Sequence, residues 1–285
     1  MDEHLSPTWE DFAAGWELGI YGDPVFCGVV AGLGLGYLGV FVVLRRMVFV
    51  TAAVSQAAGL GVALTFYVDI HFAMDIDPAL GAVALALAVT AVFAVPPDRL
   101  RLSREGILGL VYIACWAGAV LVGDRIAQEA HEISAILFGS AVLVRPEDLM
   151  LVTVVGGGVL LVYVAGHRGL VFAAFDRESA RVQGLPVRAL DLLSWILVAL
   201  AVSVTTRALG VLPVFAFAVL PAMAALMLSN RLRWVLPIAA VLGAVAGGAG
   251  YLFAFFLELP VGASQAIVAF LLFLACSPAR LVRGP

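Results

Sequence analysis

Nine apolar segments follow one another along the chain, and short polar or charged stretches separate them. They lie at roughly 24–44, 50–68, 79–95, 106–123, 149–166, 189–206, 209–228, 235–257 and 262–276. A helix that crosses the hydrocarbon core of a bilayer needs about 20 mostly apolar residues. Most of the segments reach or approach that length, although the last is short. The pattern therefore predicts an all-α polytopic membrane protein with about nine transmembrane helices.

One further apolar segment is too short to cross a bilayer. Residues 133–145 (ISAILFGSAVLVR) lie between two polar stretches that the nine-span arrangement places on the same side of the membrane. Irregular backbone at membrane depth must be buried in protein or line a cavity. We therefore expect either a re-entrant or broken helix here, or an interfacial helix with no part in a translocation pathway.

The first 23 residues have an amphipathic pattern of their own. Trp9, Phe12, Trp16 and Ile20 recur at helical spacing, and acidic residues lie between them. A helix of this kind buries its apolar face in the boundary between headgroups and acyl chains. We predict that residues 1–23 form an amphipathic segment on the extracytoplasmic surface of the membrane.

The distribution of arginine gives the predicted helices a direction. All 16 basic residues are arginine, and 13 of them fall in loops on one side of the nine-span arrangement, which leaves Arg125, Arg145 and Arg207 on the other. Cytoplasmic loops carry the excess of positive charge. We therefore predict an inner (plasma) membrane protein with its N-terminus outside and its C-terminus in the cytoplasm. Residues 24–277 would form the transmembrane domain and 278–285 a cytoplasmic tail.

Composition agrees with a bilayer as the solvent and excludes one kind of enzyme. The chain is 63% hydrophobic and 13% charged, with a mean hydropathy of +1.09, whereas about a quarter of the residues in a soluble domain are charged. Because the chain has no lysine, it cannot form a G-x-x-x-x-G-K phosphate-binding loop. We expect no enzyme activity, no cofactor and no nucleic-acid partner for this chain. Any ATP and Mg²⁺ would be bound by a separate subunit.

Two predicted outer loops combine histidine with acidic residues. The candidate metal ligands are Asp69, His71 and Asp75 in one loop and Glu129, His131 and Glu132 in the other. Imidazole and carboxylate groups together suit Zn²⁺, Mn²⁺ or Fe²⁺. An ordinary solvated acidic loop has the same composition, so both interpretations stay open. Either kind of loop would concentrate cations and favour a basic surface on a partner.

The second span carries a row of small and polar residues. They are Thr51, Ala52, Ser55, Gln56 and Gly59. Ala52 is followed three or four positions later by Ser55 and Gln56, which are followed in the same way by Gly59, so these residues share one helix face, and Thr51 lies one turn before Ser55. Serine and threonine in membrane helices often bond only to backbone or to a neighbouring helix. The Ser55–Gln56 pair, flanked by alanine and glycine, is the one that we place on a translocation pathway.

The inner loop 172–190 contains a predicted short helix. The helix would begin near Asp176 and end at Gly184 and Pro186, which are helix stop signals. Its charges are mixed, and it lies between two spans on the predicted cytoplasmic side. These features favour a docking element over a linker.

Six short sequence pieces are distinctive in their order and spacing. They are 39–47 (GVFVVLRRM), 61–64 (GVAL), 137–140 (LFGS), 175–184 (FDRESARVQG), 218–224 (AVLPAMA) and 260–262 (PVG). Together they resemble the permease subunit of metal-ion ABC importers, the family that takes up zinc, manganese or iron. The similarity runs from about residue 25 to 277. It implies a homodimeric permease that works by alternating access with two separate ATP-binding cassette subunits and an extracytoplasmic solute-binding protein.

The resemblance also implies roles for particular residues. Within 175–184, the residues Asp176, Glu178, Ala180, Arg181 and Gly184 are similar to the coupling loop by which ABC permeases dock on their ATPases. An intact loop of this kind favours transport over a membrane scaffold or sensor that has lost it.

The second span departs from the family pattern. The family has an aspartate after the Arg-Arg-Met piece and a histidine four residues later, where this chain has Ala52 and Gln56. An alanine cannot bind a metal, and a neutral amide is a poor ligand for transition metals. The resemblance implies a divalent metal ion as cargo, whereas this substitution favours a chelated metal or a neutral small molecule.

Overall fold

The computed structural model describes residues 8–17, 19–94, 103–126, 144–175 and 177–278. Within those ranges, every regular element is an α-helix. The helices are α1 (Trp9–Glu17), α2 (Gly22–Leu44), α3 (Val48–Phe72), α4 (Pro78–Ala94), α5 (Arg104–Arg125), α6 (Pro146–Ala165), α7 (His167–Phe175), α8 (Arg177–Val182), α9 (Val187–Leu209), α10 (Val211–Leu228), α11 (Leu232–Leu257) and α12 (Val261–Cys276).

Nine of these helices match the nine predicted spans in order. Helices α2, α3, α5, α6, α9, α10 and α11 are long and apolar enough to cross a membrane, whereas α4 and α12 are apolar but have only 17 and 16 residues. The prediction of an all-α polytopic membrane protein is confirmed. The re-entrant helix predicted at 133–145 lies outside the described residues, except for its last two positions.

Helices α2 and α11 pack backbone against backbone at the centre of the bundle. A Cβ atom placed on Gly32 or on Gly243 would overlap the carbonyl oxygen of the other glycine. One turn along, the same holds for Gly247 against the carbonyl oxygen of Gly28. Small residues allow membrane helices to approach this closely. The glycines therefore fix the spacing of the two helices at the core.

Ion pairs at opposite ends of α9 show which helix ends lie together. Asp191, near the start of α9, binds Arg45 at the end of α2. Arg207, in the last turn of α9, lies against Asp77 before α4 and Asp148 in the first turn of α6. We call the end of the bundle at Asp191 the inner end and the end at Arg207 the outer end, after their predicted sides of the membrane.

Helix α1 packs against the outer end of the bundle through aromatic rings. The Trp9 ring lies 4.5 Å from that of Phe256, and the Phe12 ring lies 5.3 Å from that of Phe255, between ring centroids. Tyr21, in the turn before α2, stacks on Phe12 at 5.6 Å. The predicted amphipathic helix is therefore a helix, and part of its apolar face is covered by protein.

Candidate translocation pathway and coupling helix

The row of small and polar residues on α3 is buried. Thr51, Ala52, Ser55, Gln56 and Gly59 all lie in the interior of the chain. The two hydroxyls donate to backbone of their own helix, from Thr51 Oγ1 to the Val48 carbonyl oxygen at 2.6 Å and from Ser55 Oγ to that of Ala52 at 2.9 Å. Their hydrogen-bond donors are used locally, so the hydroxyls present only acceptor lone pairs to the surroundings.

Gln56 has a buried side-chain oxygen on this face that is not hydrogen-bonded to the described residues. Its side chain is buried, and its Oε1 atom has no hydrogen-bond partner among the described residues. A buried acceptor without a partner costs about 1–3 kcal/mol. Such an oxygen suits a ligand or water that donates a hydrogen bond, and it offers no charge to a bare cation.

A cavity of about 640 Å³ opens beside Ala52. Its walls come from α3, α5 and α10 and include Phe49, Leu108, Tyr112 and Phe215. The polar feature at its inner end is Glu105, in the first turn of α5. The position of Glu105 beside the α3 face depends on how α5 packs against α3, so no local sequence pattern marks it. The candidate pathway face of α3 is therefore next to a space large enough for a hydrated ion.

The described residues of the predicted outer loop at Asp69, His71 and Asp75 do not form a metal site. His71 stacks on Tyr67 with ring centroids 4.1 Å apart, and its Nδ1 lies 3.0 Å from the Tyr67 carbonyl oxygen. Asp69, His71 and Asp75 are exposed, and the described residues contain no group of three or more potential metal ligands. The second set, Glu129, His131 and Glu132, lies outside the described residues. The outer metal site stays a prediction.

Sequence reasoning missed an ionic cluster at the outer end. Arg207 Nη1 lies 3.0 Å from Asp77 Oδ1, and its Nε lies 3.3 Å from Asp148 Oδ1. Asp77 also accepts a hydrogen bond from the Ala79 amide at the start of α4. The cluster joins α9 to α4 and α6. The one signal in the sequence was that Arg207 is among only three arginines on the predicted outer side.

The predicted docking helix is present as α8, and its end has a defined geometry. The Leu185 amide donates to the Ala180 carbonyl oxygen and the Gly184 amide to that of Arg181, both at 3.0 Å, with Gly184 at φ +79°. This is the Schellman arrangement, in which a glycine in the left-handed region ends a helix. Pro186 follows and prevents continuation. The chain thus turns sharply between α8 and α9.

Helix α8 is anchored on one side and exposed on the other. Ala180 is buried with Ala173 of α7 and Val187 of α9. Glu178 and Arg181 are exposed, and the Val182 side chain is 89% exposed. Asp176, the first residue of the predicted element, lies outside the described residues. Glu178, Arg181 and Val182 therefore form the side of α8 that another protein could contact.

Comparison with known sequences shows which protein family this chain matches. Residues 23–279 match the ABC 3 transport family. The chain belongs to that family. The match includes every apolar helix from α2 to α12, the α3 face and α8. The resemblance to permeases of metal-ion ABC importers is thereby confirmed.

Relatives of this ABC 3 transport chain are similar over most of their own length. The manganese transport system membrane protein MntC of Halalkalibacterium halodurans is 28% identical over 245 residues, which cover 86% of this chain and 82% of that protein. The manganese import system permease protein ScaB of Streptococcus parasanguinis is 26% identical over 253 residues, or 88% of each. A solved structure, PsaBC from Streptococcus pneumoniae in complex with Fab, has a TM-score of 0.84 at 25% identity and covers 96% of this chain.

Proposed function

We propose that this chain is the transmembrane permease subunit of an ATP-driven importer of manganese or a similar divalent transition metal ion. The observation that carries the proposal is the similarity, over nearly the whole chain, to permeases named for manganese transport. Because the chain has no lysine and hence no phosphate-binding loop, a separate ATP-binding cassette subunit supplies the hydrolysis. Helix α8, anchored at Ala180 and exposed at Val182, is the docking element for that subunit.

The working unit in this proposal is a homodimer with the pathway between its two copies. The cavity beside Ala52 is lined by Phe49 and Ile113, whose side chains are exposed in the single chain. A second copy packed on α3 and α5 would cover these apolar side chains and close the cavity into a channel. Alternating access then follows when ATP binding and hydrolysis move the two copies relative to each other. A solute-binding protein delivers cargo at the outer end.

A second candidate keeps the same architecture and changes the cargo. Ala52 and Gln56 present no charged or strongly coordinating group to a bare cation. The free Gln56 Oε1 would accept a hydrogen bond from a chelated metal or a neutral small molecule. The observation that favours this candidate is thus the composition of the α3 face itself.

Uptake into proteoliposomes separates the candidates. The chain is reconstituted with an ATP-binding cassette subunit from the same genome, and uptake of radioactive Mn²⁺ is measured with and without ATP and with an excess of chelator. ATP-dependent uptake of free Mn²⁺ that Glu178→Ala or Gly184→Arg abolishes supports the first proposal. Uptake that requires the chelator favours the second. ATP hydrolysis without uptake of either form would mean that the chain is a non-transporting scaffold.

A further inference from the structure

Arg45 is a buried arginine that joins the two helices flanking α8 to the end of α2. Its side chain is 2% exposed, and Nη1 lies 2.8 Å from Asp191 Oδ1 on α9. Nη2 donates to the Leu170 carbonyl oxygen of α7 at 3.3 Å. Arginine can hold two acceptors at once because its guanidinium is planar and carries five donors. One side chain thus contacts both helices that enter and leave α8.

Helices α7, α8 and the start of α9 form one packed unit. Ala173, Ala180 and Val187 are buried together, and Phe172, Leu185 and Leu190 pack against them. The Schellman end of α8 fixes the turn to α9. A force applied to the exposed side of α8 therefore moves α7 and the inner end of α9 together, and Arg45 contacts both.

On the other side of Arg45, the chain turns rigidly into α3. The Met47 amide donates to the Val42 carbonyl oxygen at 2.9 Å, and the Arg46 amide to that of Val43 at 3.0 Å. Arg46 adopts φ 57°, a left-handed conformation that is uncommon for residues other than glycine. Helix α3 begins at Val48, and Ala52 lies one turn further. The corner between α2 and α3 has backbone hydrogen bonds on both sides and little room to absorb motion.

We propose that Arg45 is the positioning residue that transmits movement of the α7–α8–α9 unit to the inner end of the pathway helix α3. The inference rests on the proposed function, in which α8 docks on the ATPase. Arg45 touches neither cargo nor nucleotide. The hydrogen bonds from Arg45 to Asp191 and to the Leu170 carbonyl oxygen make the α2–α3 corner follow the docking unit, so that the face at Ala52 moves when the ATPase subunits close.

The first experiment compares transport with hydrolysis in the reconstituted complex of full-length chains. Arg45→Gln is expected to assemble and to hydrolyse ATP within about twofold of the parent, while Mn²⁺ imported per ATP falls about tenfold, because the coupling between the sites is lost. Arg45→Lys replaces the planar guanidinium with a single point charge, so the Mn²⁺ imported per ATP should fall about threefold. The matched control is Arg233→Gln, which removes an exposed arginine at the inner end of α11 and should retain the parent ratio. An unchanged ratio in Arg45→Gln overturns the proposal.

Asp191→Asn gives an independent variant should Arg45→Gln fail to assemble. The amide keeps an acceptor for Arg45 but removes the charge, so the complex should form and the ratio should fall about threefold. Parallel loss of uptake and hydrolysis, with the ratio preserved, would show a purely structural role and would also overturn the proposal.

A labelling measurement keeps this inference separate from the proposed cargo. Phe49, in the first turn of α3, lines the cavity that the proposed homodimer encloses, so Phe49→Cys in a chain without native cysteines reports on access to that cavity next to the α2–α3 corner. A water-soluble maleimide should modify it at different rates with and without ATP and vanadate, and Arg45→Gln should abolish that difference. Absence of Mn²⁺ uptake by the parent would refute the proposed function while this readout still tests Arg45. A labelling rate that does not respond to nucleotide in the parent, or that responds equally in the parent and in Arg45→Gln, overturns the inference.

Discussion

Arg207 and Asp148 form an ion pair that is largely buried at the outer end of the bundle. Arg207 Nε lies 3.3 Å from Asp148 Oδ1, and the two side chains are 14% and 13% exposed. The second partner of Arg207, Asp77, is 56% exposed. If Arg207 is lost, water can solvate the exposed Asp77 carboxylate more fully than the buried Asp148 carboxylate. Asp148 therefore depends more on Arg207 than Asp77 does.

We predict that Arg207→Met destabilises the protein by about 3 kcal/mol, because it leaves the Asp148 carboxylate buried without its partner. Asp77→Asn should cost less than about 1 kcal/mol, since that carboxylate is exposed. The free energy of unfolding is measured by titration with SDS in mixed micelles. The control is Arg125→Gln, an exposed arginine of the outer end, which should change it by less than about 0.5 kcal/mol. Equal effects of Arg207→Met and Arg125→Gln would contradict the prediction.

A second prediction uses two glycines of one helix. A Cβ atom on Gly32 would overlap the Gly243 carbonyl oxygen, whereas a Cβ on Gly34 meets nothing within 4 Å. Gly32→Ala should therefore destabilise the protein by about 1–3 kcal/mol through overpacking. Gly34→Ala should be neutral or more stable by up to about 1 kcal/mol, because alanine is the better helix former. The same SDS titration measures both, and similar values for the two variants would argue against backbone contact between α2 and α11.

The sequence predicted the helices well and the contacts between them poorly, for a physical reason. Apolar length is a local property, so the nine apolar helices could be located from the chain alone. The stop at Gly184 and Pro186 is also local, since both residues act on their own backbone. The pairing of Asp77 with Arg207 joins residues 130 positions apart and depends on how α4 and α9 pack. The left-handed conformation of Arg46 carried no signal, because arginine is not a residue that marks such positions.

The end of α8 yields a third prediction. Gly184 has φ +79° with open space around its Cα, so Gly184→Ala suffers from backbone conformation alone, at a cost of about 1 kcal/mol. If α8 docks on the ATPase subunit, that cost appears as about fivefold weaker binding. Gly184→Asn, a larger residue that tolerates the left-handed region, should weaken binding less. Surface plasmon resonance with the immobilised ATPase subunit measures both. The control is Gly169→Ala in α7, where a Cβ makes ordinary contact with Leu190. Weaker binding by Gly184→Asn than by Gly184→Ala would contradict the conformational explanation.

The orientation of the bundle is the subject of the fourth prediction. His71 and Arg231 are exposed at opposite ends, and the arginine distribution places His71 outside and Arg231 in the cytoplasm. In a chain without Cys27, Cys115 and Cys276, we expect an impermeant maleimide to label His71→Cys in intact cells and Arg231→Cys only after permeabilisation. The reverse result would invert the predicted topology.

The last prediction concerns metal binding within the membrane. A divalent ion that leaves the Glu105 end of the cavity for the face of Ala52 and Gln56 loses water and gains no carboxylate from that face, which costs several kcal/mol or more. We therefore expect the parent to bind Mn²⁺ and Zn²⁺ weakly at this face. Ala52→Asp combined with Gln56→His places a carboxylate and an imidazole one turn apart on the same helix face, a spacing at which two side chains can hold one cation.

Isothermal titration calorimetry on the detergent-solubilised protein tests this directly. The double variant should bind Mn²⁺ at least about tenfold more tightly than the parent, which corresponds to 1.4 kcal/mol. Each single variant, Ala52→Asp or Gln56→His, should gain less than the pair. His71→Ala and His131→Ala are included in every background, so that binding at the outer loops does not contribute. Tight one-to-one binding by the parent in that background would show that neutral groups on α3 suffice for a bare ion. The chelated-metal candidate would then lose its main support.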